Sequence, residues 1–132
     1  MQESIPEKVF QKYDIRGVYP NELNEKVVAS IVNVLAQRVF LKGKIVVGRD
    51  GRNSSPSLYN ATVDTLNGYE RLEVVNAGVM TTPMLYFLVN YLQAAGGLMI
   101  TASHSPKEQN GIKVVREGSI FVGGEEIRTM MP

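Results

Sequence analysis

The residues with the most chemistry to offer lie close together, in Thr101-Ala102-Ser103-His104-Ser105-Pro106 and the stretch that follows. Lys107, Asn110 and Lys113 come within ten residues of Ser103, a set of donors suited to phosphate oxygens and sugar hydroxyls. A lone serine in a polar stretch is by default a turn residue bonded to its own loop. Its neighbours here tilt the reading towards function. A hydrolytic triad fits poorly: His104 adjoins Ser103 in sequence, no evident carboxylate orients it, and the G-x-S-x-G elbow is absent. His104 is also the only histidine and the chain has no cysteine, which excludes disulfide scaffolds, thiolate zinc sites and cysteine nucleophiles. Any metal must then be held by oxygen.

Composition narrows the classes further. The chain has 132 residues, 44% hydrophobic and 20% charged, enough for one compact domain with a sizeable core and too apolar for disorder. Fourteen Lys and Arg against thirteen Asp and Glu leave a net charge of +1, with no broad electropositive field for nucleic acid. The first residues lack the basic and then apolar blocks of a signal peptide, so the chain reads as cytoplasmic. Its most apolar stretch, 84–92, is interrupted by Asn90 and is too short for a bilayer, which needs about 20 apolar residues, so no membrane partner is expected.

Three segments with helical periodicity, each followed by a β-rich run, predict an α/β fold: a single layered domain with a mixed sheet, alternating βαβ units and then a hairpin. The first helix is expected over about 24–40, with Val27, Ile31, Val34, Leu35 and Val39 on one face. The strand Ile45-Val46-Val47 follows. Ser55 and Pro56 signal the start of a second helix, with Leu58, Val63 and Leu66 inward and Gly68 at its end. A strand over 72–75 comes next. Thr82 and Pro83 repeat the start signal for a third helix, whose stripe of Met84, Leu85, Leu88, Tyr91 and Leu92 reads as core and which should stop at Gly96-Gly97. Leu98-Met99-Ile100 is a strand leading into a loop over 101–111, at a strand's C-terminal end where α/β folds place ligands. Residues 112–115 and 119–122 flank Glu117-Gly118 as a hairpin, and Gly123-Gly124-Glu125-Glu126-Ile127 opens another helix just before the chain stops.

The stretch Thr101-Ala102-Ser103-His104-Ser105-Pro106-Lys107-Glu108-Gln109-Asn110-Gly111-Ile112-Lys113 resembles the active-site loop of the α-D-phosphohexomutases, the phosphoglucomutase and phosphomannomutase family. Tyr13-Asp14-Ile15-Arg16-Gly17 is similar to that family's N-terminal signature. Gly48-Arg49-Asp50-Gly51-Arg52-Asn53-Ser54-Ser55-Pro56 is similar to its second, and Gly78-Val79-Met80-Thr81-Thr82-Pro83 falls in the family's order. The resemblance covers essentially the whole chain, 1–132, as the family's N-terminal domain (domain I). Two positions depart from it: Ser105 stands where the family usually has asparagine and Gln109 where it usually has an aromatic, the latter outside the chemistry.

The resemblance implies an intramolecular phosphotransferase, a phosphoryl shuttle between C1 and C6 of a hexose phosphate through a 1,6-bisphosphate that also serves as activator. Ser103 would carry the phosphate, and through it be a ligand for Mg²⁺. Arg16 and Lys113 would neutralise the transferring group, either Lys113 or His104 would assist proton movement, and Tyr13 would shape the sugar side. Against these stand blander readings: Tyr13 as core packing, Arg16 as structural though it lies in a polar loop, and Arg49, Asp50 and Arg52 as a charge-assisted network fixing their loop rather than a phosphate site. Family members are several times longer and carry four domains, the later three supplying an aspartate-rich metal loop, a sugar-reading loop and a phosphate-binding loop. The only aspartates here, Asp14, Asp50 and Asp64, are well separated. The remaining Mg²⁺ ligands are therefore expected from the missing C-terminal domains, and the chain is expected to be an incomplete fragment or split subunit, inactive or nearly so alone. The alternative is a stand-alone phosphosugar-binding or interaction module without mutase activity.

Overall fold

A computed structural model describes residues 4–132. Its elements run β1 (Ile15–Val18), α1 (Glu25–Arg38), β2 (Gly43–Arg49), α2 (Ser55–Asn67), β3 (Leu72–Val79), α3 (Thr82–Tyr91), β4 (Gly96–Ile100), β5 (Gln109–Arg116), β6 (Ile120–Val122) and α4 (Gly124–Met130). Six strands form one mixed sheet in the order β1-β5-β4-β2-β3. β2 is parallel to both β3 and β4, while β5 is antiparallel to β4. The far side of β5 is shared: β1 pairs with its first half and β6 with its second, both antiparallel. The expected α/β layer, its βαβ units and the closing hairpin are all present.

The topology explains where the helices lie. From β2 the chain moves one way across the sheet to β3, and from β3 it turns back past β2 to β4. Right-handed crossovers in opposite directions put their helices on opposite faces. Accordingly α1 and α2 cover one face and α3 the other. The strands supply both cores by alternation, since successive side chains point to opposite faces. Ile45, Val47, Leu98, Ile100, Ile112 and Val114 join Val27, Ile31, Leu35, Leu58 and Leu66. Val46, Met99 and Val115 join Leu85 and Val89. Strands covered on both faces read as unbroken apolar runs, as Ile45-Val46-Val47 does.

Several local expectations need correction. Helices α2 and α3 each begin one residue earlier in capping terms than the Ser-Pro and Thr-Pro pairs suggest: Ser54 and Thr81 are the caps, and the prolines fall at the second helical position. The Thr81 hydroxyl accepts from Met84 N–H, whereas Ser55 is drawn off to a different partner described below. In α1, Asn24 is the cap, accepting from Val27 N–H at 3.0 Å. Gly96 and Gly97 do not stop a helix; α3 ends at Tyr91 and both glycines are in β4. A Cβ on Gly96 would stand 2.3 Å from Phe40, just beyond α1, and one on Gly97 2.7 Å from Val89 of α3, so side chains on both faces press against this strand. The stripe on α3 is only partly core. Leu85 and Val89 are buried, but Met84, Phe87 and Tyr91 are exposed. Strand β3 runs to Val79 rather than 75, and β1, which holds Arg16, is a strand where a polar loop was expected. Among the described residues no helix is long and apolar enough to cross a membrane.

Candidate active site

The parallel strands β2 and β4 lie side by side, so the loops leaving their carboxyl ends meet. One is the 50–54 connection into α2; the other is the 101–108 loop that carries Ser103. This is where the chain's direction across the sheet reverses, the position at which α/β folds place ligands. Ser103 stands exposed there with φ +55°, in the left-handed region that a side chain other than glycine enters at a cost. His104 beside it is exposed too.

A first cluster pins this loop. The Asp50 carboxylate accepts from the hydroxyls of Ser55 (2.5 Å) and Thr101 (2.7 Å), from Arg52 N–H (3.1 Å) and from Arg52 Nε (3.3 Å). Burial by itself raises the Asp50 carboxyl, but the Ser55 and Thr101 hydroxyls, the Arg52 N–H and the guanidinium charge outweigh it and hold the group below its ordinary value. Arg52 then reaches across. Its Nη1 donates to the carbonyls of Pro106 (2.7 Å) and Gln109 (3.1 Å), and its Nη2 to those of Ser103 (2.7 Å) and Ser105 (2.8 Å). Thr101 Oγ1 in turn accepts from Ser103 N–H at 3.0 Å. Buried Asn110 closes the base of the loop, donating to the hydroxyls of Ser54 and Ser55. The expected charge-assisted network of Arg49, Asp50 and Arg52 therefore exists, with its reach extended: it holds the neighbouring loop as well as its own. Arg49 adds only a bond to the Asp50 carbonyl.

A second cluster lies on the adjoining strands. Asp14 and Arg16 are two residues apart at β1, so they share a face while Ile15 points into the core. Ile15 pairs with Ile112 of β5, which places Asp14 opposite Lys113 one register step on. Arg16 Nη2 donates to Asp14 Oδ2 at 2.6 Å, and Lys113 Nζ donates to the same oxygen at 3.1 Å. Arg16 Nη1 donates to Ser105 Oγ at 2.8 Å, so serine at this position does engage the cluster. Strands β1 and β5 meet closely enough here that a Cβ on Gly111 would stand 2.2 Å from the Ile15 carbonyl. The cluster is left open. Arg16 Nε is buried and has no hydrogen-bond partner, and Lys113 makes one bond of the three its ammonium offers.

The structure thus brings Arg16 and Lys113 together at Asp14 and ties Arg16 to Ser105, two residues along the loop from Ser103. Tyr13 is not core packing: it is 67% exposed, with Lys12 Nζ 5.3 Å from its ring centre. Asp14 is the residue that sequence reasoning passed over. Its signal was the i, i+2 spacing from Arg16, legible only once 15–18 is known to be a strand. Among the described residues no three His, Cys, Asp or Glu side chains converge on a metal position. Asp14 and Asp50 are both engaged by cations of their own clusters.

Comparison with known proteins agrees with this arrangement. Residues 7–131 match the family model described as phosphoglucomutase/phosphomannomutase, alpha/beta/alpha domain I. The chain is 44% identical over 108 residues to a phosphohexose mutase of Xanthomonas campestris pv. campestris, an alignment covering 82% of this chain and 24% of that protein. It is 37% identical over 122 residues to the phosphoglucomutase of Neisseria gonorrhoeae, covering 91% and 26%. Among solved structures, a phosphoglucomutase/phosphomannomutase family protein of Burkholderia thailandensis superposes with a TM-score of 0.83 at 32% identity, over 96% of this chain and 30% of that one. The chain spans about a quarter of the length of the curated relatives it matches.

Proposed function

The chain belongs to the phosphoglucomutase/phosphomannomutase family as its α/β/α domain I, and from that premise we propose that it is the phosphoserine-bearing part of a phosphohexomutase. Its relatives are phosphohexomutases. What supports the reading is an exposed Ser103 on the loop whose Ser105 hydroxyl accepts from Arg16, which shares the Asp14 carboxylate with Lys113, two cations with donors to spare. Phosphoryl transfer asks for little covalent work by the protein; alignment and charge stabilisation supply most of the rate.

In the resting state the phosphoryl group sits on Ser103 Oγ. A hydroxyl of a hexose phosphate attacks phosphorus, the P–O bond to Ser103 breaks, and the attacking hydroxyl's proton is relayed by way of Lys113 or His104 to the departing Ser103 Oγ. The product at this stage is the hexose 1,6-bisphosphate. After the sugar turns over, the Ser103 hydroxyl attacks its other phosphate, the P–O bond to the sugar breaks, and the serine's proton returns by the same relay to the departing sugar oxygen, giving the isomeric monophosphate. Arg16 and Lys113 stabilise the charge that builds on the equatorial oxygens, and exposed Tyr13 borders the sugar. Among the described residues no complete Mg²⁺ site is present. Phospho-Ser103 is the one ligand this chain would offer, with carboxylates from outside it completing the set. On this reading the chain turns over hexose phosphates only with the remaining domains of the longer polypeptide.

Labelling tests this directly. With the remaining domains supplied, a hexose 1,6-bisphosphate labelled in phosphate should leave its label on the peptide containing Ser103. Label on any other residue, or robust turnover by the 132-residue chain alone, overturns the reading. Comparing the pH profiles of Lys113→Met and His104→Gln identifies the proton carrier.

A further inference from the structure

We infer that Arg52 is a positioning residue for the transfer: it holds the backbone of Ser103 in the conformation that presents the phosphoryl group, and it does not itself bind substrate. This inference rests on Ser103 carrying the phosphate. A guanidinium has five N–H donors in a fixed planar fork. In Arg52 all five have acceptors, one at Asp50 and four at the carbonyls of Ser103, Ser105, Pro106 and Gln109. No donor is left for a ligand's phosphate. The contrast with Arg16, whose buried Nε is unpartnered, separates an arginine that builds the site from one that is available to use it.

Ser103 is held from both sides of its own Cα. Its carbonyl accepts from Arg52 Nη2, and its N–H donates to Thr101 Oγ1, whose hydroxyl donates to Asp50, which accepts from Arg52 Nε. The two peptide groups that flank the left-handed φ of +55° are therefore tied to one ring of hydrogen bonds anchored at the end of β2. Strained backbone persists only where surrounding bonds over-determine it. A misplacement of about 1 Å at a reacting group can cost about 100-fold in rate. Lysine has the charge but three tetrahedral donors, so it cannot reproduce a planar grip on four carbonyls.

The test uses Arg52→Lys and Arg52→Ala with two independent measurements. In amide NMR spectra of the 132-residue chain, both variants should shift or broaden the signals of Ser103, His104, Ser105 and Gln109 while those of β2 and β4 stay in place. Added guanidinium should restore the loop signals of Arg52→Ala. With the remaining domains supplied, Arg52→Lys should lose about 100-fold in kcat with KM for the hexose phosphate unchanged. Loop spectra unchanged in Arg52→Lys overturn the inference. A raised KM with kcat intact also overturns it, by making Arg52 a substrate ligand. Full turnover by Ser103→Ala is a different failure: it removes the phosphoserine reading, while the loop spectra still report whether Arg52 holds the loop.

Discussion

Two carboxylates, Asp14 and Asp50, each gather an arginine beside the same loop, and they do so to different ends. Around Asp50 every donor of Arg52 is matched, the partners are mostly backbone carbonyls, and the result is a closed brace. Around Asp14 the partners are side chains on two strands, Arg16 keeps a buried N–H with nothing to bond, and Lys113 keeps donors in reserve. Leaving a buried donor unmade costs about 1–3 kcal/mol, so an open cluster persists where a ligand completes it. Saturation distinguishes the cluster that holds from the cluster that waits.

Substitutions in the two clusters should therefore separate activity from stability. The largest effect is expected at the residue both clusters serve: Ser103→Ala, with the remaining domains supplied, should bring mutase turnover down to background while the far-ultraviolet circular dichroism and melting profile of the chain stay as they were. Arg16→Met comes next and breaks the open cluster. Removing one preorganised donor to a transferring group costs about 100- to 1,000-fold in kcat, and steady-state kinetics should show that loss with little change in the urea midpoint. A stability loss as large as that of an Asp50 variant would mean that the Asp14 cluster is structural after all. Asp50→Asn probes the closed cluster in the other direction. It weakens charge-assisted bonds from Ser55, Thr101 and Arg52, at a cost of about 2 kcal/mol, readable by urea denaturation of the 132-residue chain.

The smallest effect concerns pH. Because the Asp50 carboxyl is held below its ordinary value in the folded chain, its contribution to stability is fully present above about pH 4, the unfolded range for aspartate, and is lost as pH falls through the lowered value. Unfolding free energy followed from neutral pH down into this range should fall more steeply for the parent chain than for Asp50→Asn. Equal slopes would remove Asp50 from the acid sensitivity of the fold.

Much of this organisation was legible in the chain itself. Helices α1 and α2 announce themselves by apolar residues at helical spacing, and Ile45-Val46-Val47 by an unbroken run, because a face that must be buried leaves a period. Ser103 stood out by its neighbours and by the length of the motif around it. What escaped did so for physical reasons. Strand β1 is made of Ile15, Arg16, Gly17 and Val18, too short and too polar to carry a period, and its pairing with β5 is a contact across nearly a hundred residues of chain. Helix α3 has no charged residue and is apolar all round, so its spacing selects no face; the sheet decides that Leu85 and Val89 turn inward while Met84, Phe87 and Tyr91 stay outside. The glycines of β4 read as a helix stop, since nothing local tells that Phe40 and Val89 will press on them.

The amino-acid sequence by itself determined the α/β alternation, the family and the motif that singles out Ser103, because periodicity and motif are properties of neighbouring residues. Tertiary structure alone decided which arginine braces the loop and which is left with a free donor. That difference depends on strand order. β2 and β4 are brought side by side by a crossover that turns back, which sets Arg52 against the carbonyls of residues 103–109, while β1 joins β5 from the other side and sets Asp14 between Arg16 and Lys113. Local chemistry chose the side chains, and long-range pairing settled which of their hydrogen bonds were already spent.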